Sequence, residues 1–157
     1  MSGQERVEHT HSITVDAPVA RVFLLFTPLG ETLWAQGWEP EFIAPKSGIT
    51  ERFMVFRTGA GAGETLWSCV DWEPAKHFVR YARVTPASRF GIVEVQASAV
   101  DRTKTNVTVT YRYVALTAEG EAELAAFTED AFRAMIDGWQ TAVSAWLARN
   151  PDAEISY

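Results

Sequence analysis

The chain has 157 residues, enough for one domain with a substantial core, and its 47% hydrophobic and 22% charged residues are those of an ordinary globular protein. A net charge of -6, from 14 basic and 20 acidic side chains without a basic cluster, excludes a nucleic-acid groove. The lone Cys69 excludes an internal disulfide, no run approaches the roughly 18 apolar residues of a membrane span, and the polar start Met1 to Glu5 has no apolar h-region, so the expected compartment is the cytoplasm.

In chain order, the first predicted element is a strand over 6–16. Val7, His9, His11, Ile13 and Val15 alternate with Glu8, Thr10, Ser12 and Thr14, the period of two that marks a half-buried strand. Two short helices follow over 18–35. Asp16 is expected to cap the first, Pro18 suits its opening turn, and Val22, Phe23 and Phe26 give it an apolar side. Pro28 and Gly30 are expected to end it, with the second helix near Gly30 to Ala35 and an irregular connection, Gln36-Gly37-Trp38-Glu39-Pro40, after it.

Antiparallel strands are predicted across 42–116. Phe42 to Ala44, Arg52 to Arg57, Glu64 to Trp72, His77 to Val84, Phe90 to Val100 and Thr105 to Leu116 are separated by Pro- and Gly-containing turns at hairpin spacing. With the first strand they make about seven. The last shows the pattern most clearly, with Val107, Val109, Tyr111 and Tyr113 against Thr108, Thr110 and Arg112. The tail over 117–150 reads as one long helix, on the order of 45 Å at 1.5 Å per residue. Thr117 is its expected N-cap. Leu124, Phe127, Ala131, Met135, Trp139, Val143, Trp146 and Leu147 form its expected apolar stripe, with Trp146 and Leu147 serving either the core or a homodimer contact. The whole is one undivided domain.

A strand, Ala17-Pro18, a short helix with Val22, a Trp-containing turn, hairpins with Asp71-Trp72-Glu73-Pro74, and a terminal helix carrying Asp137-Gly138-Trp139 together resemble the START-like, or SRPBCC, superfamily. Within it the sequence is similar to the branch of the activator of the heat-shock-protein-90 ATPase and to polyketide cyclase or dehydrase-like proteins. The resemblance implies an α+β helix-grip fold, in which a curved antiparallel sheet of about seven strands wraps a long C-terminal helix and two short helices follow the first strand. It also implies an internal cavity for apolar or amphipathic small molecules.

For such a cavity the expected lining is Trp34, Trp38 and Trp67 facing Tyr111, Tyr113, Phe127, Ala131, Met135 and Trp139, since indoles and phenols combine an apolar face with one donor. His11 is the catalytic candidate: it shares the strand face of Ile13 and Val15, and an imidazole titrates near neutrality. No metal and no cofactor is expected, because His9 and His11 have no His-rich partner segment. Gly59-Ala60-Gly61-Ala62-Gly63 lacks the following Lys and helix of a phosphate loop and reads as a hairpin tip. Glu94 alternates to the outer face, and Glu129, Asp130 and Asp137 read as a solvated helix face. The leading expectation is a protein that binds a small apolar or aromatic ligand. A polyketide cyclase or dehydratase using the same cavity, and a chaperone-interaction module, are the alternatives.

Overall fold

Alternation along the chain produces the sheet, and the computed structural model describes it for residues 3–157. Seven strands, β1 (Arg6–Val15), β2 (Glu41–Ala44), β3 (Val55–Thr58), β4 (Thr65–Glu73), β5 (Phe78–Thr85), β6 (Arg89–Asp101) and β7 (Lys104–Ala115), pair antiparallel in the order β1-β7-β6-β5-β4-β3-β2. Strands β2 to β7 run as successive hairpins, and β1 returns to pair with β7, placing Ile13 opposite Val107 and His11 opposite Val109. The chain has the predicted α+β helix-grip architecture.

Side chains sort by face as the period of two requires. Val79, Tyr81, Val93, Val95, Val107, Val109 and Tyr111 are buried on the inner face. On the outer face Glu94 holds Arg80 and Arg112 across neighbouring strands, and Asp71 pairs with Arg80. Burial of the inner face drives the clasp, at about 25 cal/mol for each Å² of apolar surface removed from water.

Four helices cover that face: α1 (Val19–Leu24), α2 (Pro28–Glu31), α3 (Ala118–Ala126) and α4 (Glu129–Arg149). Pro18 itself is the N-cap of α1 with no side-chain cap, so Asp16 does not play the expected role. Pro28 starts α2 instead of ending α1, because Thr27 turns its hydroxyl onto the Gly30 N–H at 3.0 Å. Proline suits a helix's first turn, where its missing N–H leaves no bond unmade.

The tail is two helices, not one. Phe127 leaves helical geometry at φ -87 and ψ 67, and Thr128 caps α4 by accepting the Ala131 N–H at 3.1 Å. The break resets the helical phase. Phe132, Ile136, Val143, Trp146 and Leu147 face the core, while Ala131 is exposed. Trp146 and Leu147 are therefore buried in the chain's own core, with the Arg21 guanidinium 5.6 Å from the Trp146 ring centre. Among the described residues no helix is long and apolar enough to cross a membrane.

Candidate functional site

Between the sheet, α2, the following turn and α4 lies a cavity of about 230 Å³. Its floor is Val93 and Val95 of β6 with Tyr81 of β5 and Tyr111 of β7, and its walls are Phe26, Trp34, Trp38, Phe56, Trp67 and Trp139. Exposed Gln36 and Gly37 line its rim. The aromatic walls are packed against one another: Trp38 meets Trp67 edge-on at 5.5 Å, Phe56 stacks on Trp67 at 5.6 Å, and Trp34 meets Trp139 at 5.8 Å. Such edge and stacked pairs hold rings in fixed orientations, so the walls are a preformed surface.

Most polar tips of these rings are already engaged with the protein. Trp34 Nε1 donates to the Leu25 carbonyl at 2.7 Å, Trp38 Nε1 to the Pro28 carbonyl at 2.9 Å and Trp67 Nε1 to Thr58 Oγ1 at 3.0 Å. The Tyr81 hydroxyl donates to the Phe26 carbonyl at 3.1 Å. These bonds tie both indoles of the α2 region to backbone carbonyls beside it, and what they present to the cavity is ring surface.

Two ionisable side chains break that apolar lining. Glu31, the last residue of α2, lines the cavity, and its carboxyl has no hydrogen-bond or ion-pair partner among the described residues. Removal from bulk water pushes its pKa from 4.5 up to about 8. Arg83 of β5 also lines the cavity, its guanidinium 4.3 Å from the Trp67 ring centre and 5.4 Å from that of Tyr113. Its Nε is buried without a hydrogen-bond partner among the described residues. Tyr111 feels both charges: burial and neighbouring Tyr113 push its phenol up, Arg83 opposes, and Glu31 adds to the rise. Burial likewise raises the Tyr81 phenol and pushes the Cys69 thiol up to about 12, so neither ionises near neutrality.

Of the residues singled out from sequence, Trp34, Trp38, Trp67, Tyr111 and Trp139 are brought together around the cavity. Tyr113 and Phe127 lie behind Tyr111, outside the lining, in an aromatic packing with Phe132 and His9, their rings 5.7 Å apart. Ala131 is exposed, and Met135 lines a neighbouring groove with Gly138 and Ala142, on the other side of Trp34 and Trp139, which border both. In the first turns of α4 the core positions are Phe132 and Ile136, one residue on from Ala131 and Met135.

His11 does not reach the cavity either. Its Nε2 lies 2.8 Å from Asp137 Oδ1, with 22% of its side chain exposed, on the edge strand where β1 meets α4. His9 makes a parallel attachment, Nε2 to the Phe127 carbonyl at 2.7 Å. The two imidazoles are fastenings between sheet and helices. The glycine-rich segment forms the predicted hairpin tip between β3 and β4, with Gly59 and Gly61 at positive φ, and it too lies outside the aromatic lining. Glu31 and Arg83 were not legible as site residues. In sequence, an acid in a Pro- and Gly-rich stretch reads as solvated, and an Arg in an alternating strand reads as an edge charge. The only available signal was the placement of Glu31 one helical turn before Trp34.

No family model matches the sequence, and no curated protein matches it by sequence. Solved structures match it in three dimensions. Zhui aromatase/cyclase from Streptomyces sp. R1128 superposes with a TM-score of 0.63 at 21% identity, covering 94% of this chain and 97% of that one. Norcoclaurine synthase from Thalictrum flavum, in complex with dopamine and hydroxybenzaldehyde, gives 0.66 at 12% identity, covering 95% of this chain and 90% of that one. The di-domain ARO/CYC BexL from the BE-7585A biosynthetic pathway gives 0.68 at 14% identity, covering 94% of this chain and 48% of that one. At these identities the likeness establishes the fold: this chain has the helix-grip fold of START-like (SRPBCC) proteins, shared with aromatase/cyclases and norcoclaurine synthase.

Proposed function

We propose that the chain binds a small aromatic or otherwise apolar molecule in the cavity between the sheet and α4. The observation that carries this reading is the preformed wall of Trp34, Trp38, Trp67 and Trp139, in which the Trp34, Trp38 and Trp67 N–H groups are bonded within the protein, leaving ring faces for a ligand. An apolar cavity of roughly 150 Å³ holds one benzene. At about 230 Å³ this one has room for one or two rings. A structure of the same fold that holds dopamine and hydroxybenzaldehyde, both single-ring aromatics, supports the size class.

Calorimetric titration with 2-naphthol tests the reading. One equivalent is expected to bind, and Val93→Phe, which fills the floor of the cavity, is expected to abolish uptake while leaving the circular dichroism spectrum intact. Failure of 2-naphthol to bind, or equal binding by the filled variant, overturns it.

A second reading is favoured by one specific observation, the unpartnered Glu31 carboxyl among these rings. A group that exchanges protons near neutrality inside a cavity suits acid/base chemistry of the kind a polyketide cyclase or dehydratase performs. On this reading the acid/base residue is Glu31, and His11 is structural.

A further inference from the structure

We propose that Glu31 acts as a proton acceptor on a small aromatic ketone held in the cavity, removing a hydrogen from the carbon next to the carbonyl group while Arg83 faces the carbonyl oxygen. The proposal rests on the reading of the cavity as a ligand site and adds to it a reaction and a substrate class. Its basis is a juxtaposition: one acid and one cation line the same aromatic cavity, and among the described residues neither has an ion-pair partner, including the other. A carboxyl without a hydrogen-bond partner and a cation that meets only ring faces are costly in a restricted space unless something completes their hydrogen bonds. A ligand lying between them, across Tyr111, would do so.

The step balances within the ligand and Glu31. The carboxylate takes the proton, the C–H electron pair becomes a carbon–carbon double bond, and the carbonyl π pair moves onto oxygen to give an enolate. The positive guanidinium of Arg83 then faces the oxygen on which negative charge develops, where a fixed charge in a low-dielectric site is most effective. Once the Glu31 carboxyl has traded that proton for one from solvent at the cavity rim, its return to carbon restores the ketone with a solvent hydrogen in place of the original, so solvent exchange needs no oxidant, reductant or co-substrate.

Geometry decides which group can serve as the base. Tyr81 and Arg83 on β5 and Tyr111 on β7 are the other titratable side chains of the lining, while α4 contributes Trp139, β3 contributes Phe56 and β4 contributes Trp67. Both phenols are held protonated by burial, so Glu31 is the lining group that changes charge near neutrality. A carboxylate whose proton leaves at about pH 8 is a stronger base than an exposed one, and a catalytic pKa close to the working pH balances ionised fraction against driving force.

The experiment uses 2-tetralone, a bicyclic aromatic ketone with exchangeable hydrogens beside its carbonyl. The loss of those hydrogens to deuterium is followed by NMR in deuterated buffer with the full chain. Protein-dependent exchange is expected, rising with pH and levelling near 8. Glu31→Gln is expected to lower it by about 100-fold or more, the usual range for loss of a general base. Tetralone affinity measured in the same samples should change less than about threefold, and Glu31→Asp should restore part of the rate. His11→Ala, outside the cavity, should leave the rate unchanged. Exchange that persists in Glu31→Gln, or tetralone binding without protein-dependent exchange, overturns the proposal and leaves the binding reading standing. Absence of binding by both tetralone and 2-naphthol removes both.

Discussion

His11 on β1 and Asp137 on α4 meet at 2.8 Å, Nε2 to Oδ1, and this contact fastens the edge strand to the helix that covers the sheet. Asp137 is 59% exposed, so water and salt weaken the pair. His11→Ala is expected to lower stability by less than about 1 kcal/mol in urea denaturation, and Asp137→Asn by a similar amount, with little further loss in the double variant. Binding of 2-naphthol should be unaffected by either change. A loss of binding in His11→Ala would return the imidazole to the site.

Glu31 links stability to pH. The folded state keeps its proton up to about pH 8, whereas an ordinary carboxyl releases it near 4.5. Between these values the folded state binds more protons than the unfolded one, so stability falls as pH rises, by up to about 1.4 kcal/mol per pH unit, and levels off above 8. Glu31→Gln removes the charge that burial penalises. Thermal melts should show the variant more stable than the parent at pH 8, the difference shrinking toward pH 5.

The break between α3 and α4 is a capping event with a packing consequence. Thr128→Ala is expected to cost about 1 kcal/mol, the usual worth of a hydroxyl N-cap. Phe132→Ala should cost about 3–5 kcal/mol, because the ring is fully buried against His9 and Tyr111. Ala131→Ser, one residue away on an exposed face, should stay within about 0.5 kcal/mol. Denaturant midpoints for the three variants check the helical phase directly.

Gly30 sets the position of Glu31. A Cβ on Gly30 would lie 1.9 Å from the Leu24 carbonyl oxygen and 2.9 Å from Leu25 Cα, both backbone atoms that cannot swing aside. Gly30→Ala is therefore expected to cost about 3 kcal/mol or more, since overpacking against backbone forces α1 and α2 apart. Calorimetric melting measures the loss. In any folded fraction, displacement of α2 should also reduce 2-naphthol affinity.

The alternation of Val7 to Val15 and of Val107 to Tyr113, with Pro and Gly at hairpin spacing between them, was enough to place seven strands and the faces they bury. Those signals are local: a side chain's face follows from its parity within a strand. Thr128-Glu129-Asp130 is also a local signal, a cap followed by acids, but the apolar stripe that runs through it in sequence masks the break. Ala131 is on the exposed face as a result, and Met135 packs at the edge of the core beside Ile136.

Composition and periodicity by themselves determined about seven antiparallel strands, a helical tail and an abundance of aromatic side chains, because each depends on neighbours in the chain, while the curvature of the sheet around the last helix came from the resemblance to START-like proteins. Only the tertiary structure decided which groups share the cavity. Glu31 from α2 and Arg83 from β5 are 52 positions apart in sequence, the difference between their numbers, and no local pattern brings them together. His11 has the residue type and strand face of a site residue, yet its strand is the sheet's edge, and there it meets Asp137 instead of the cavity. The cavity that buries Glu31 is closed by Phe56, Trp67, Tyr111 and Trp139 from distant parts of the chain as well as by nearby Trp34 and Trp38, and that is why the group that matters most to the proposed chemistry was the hardest to read from the chain.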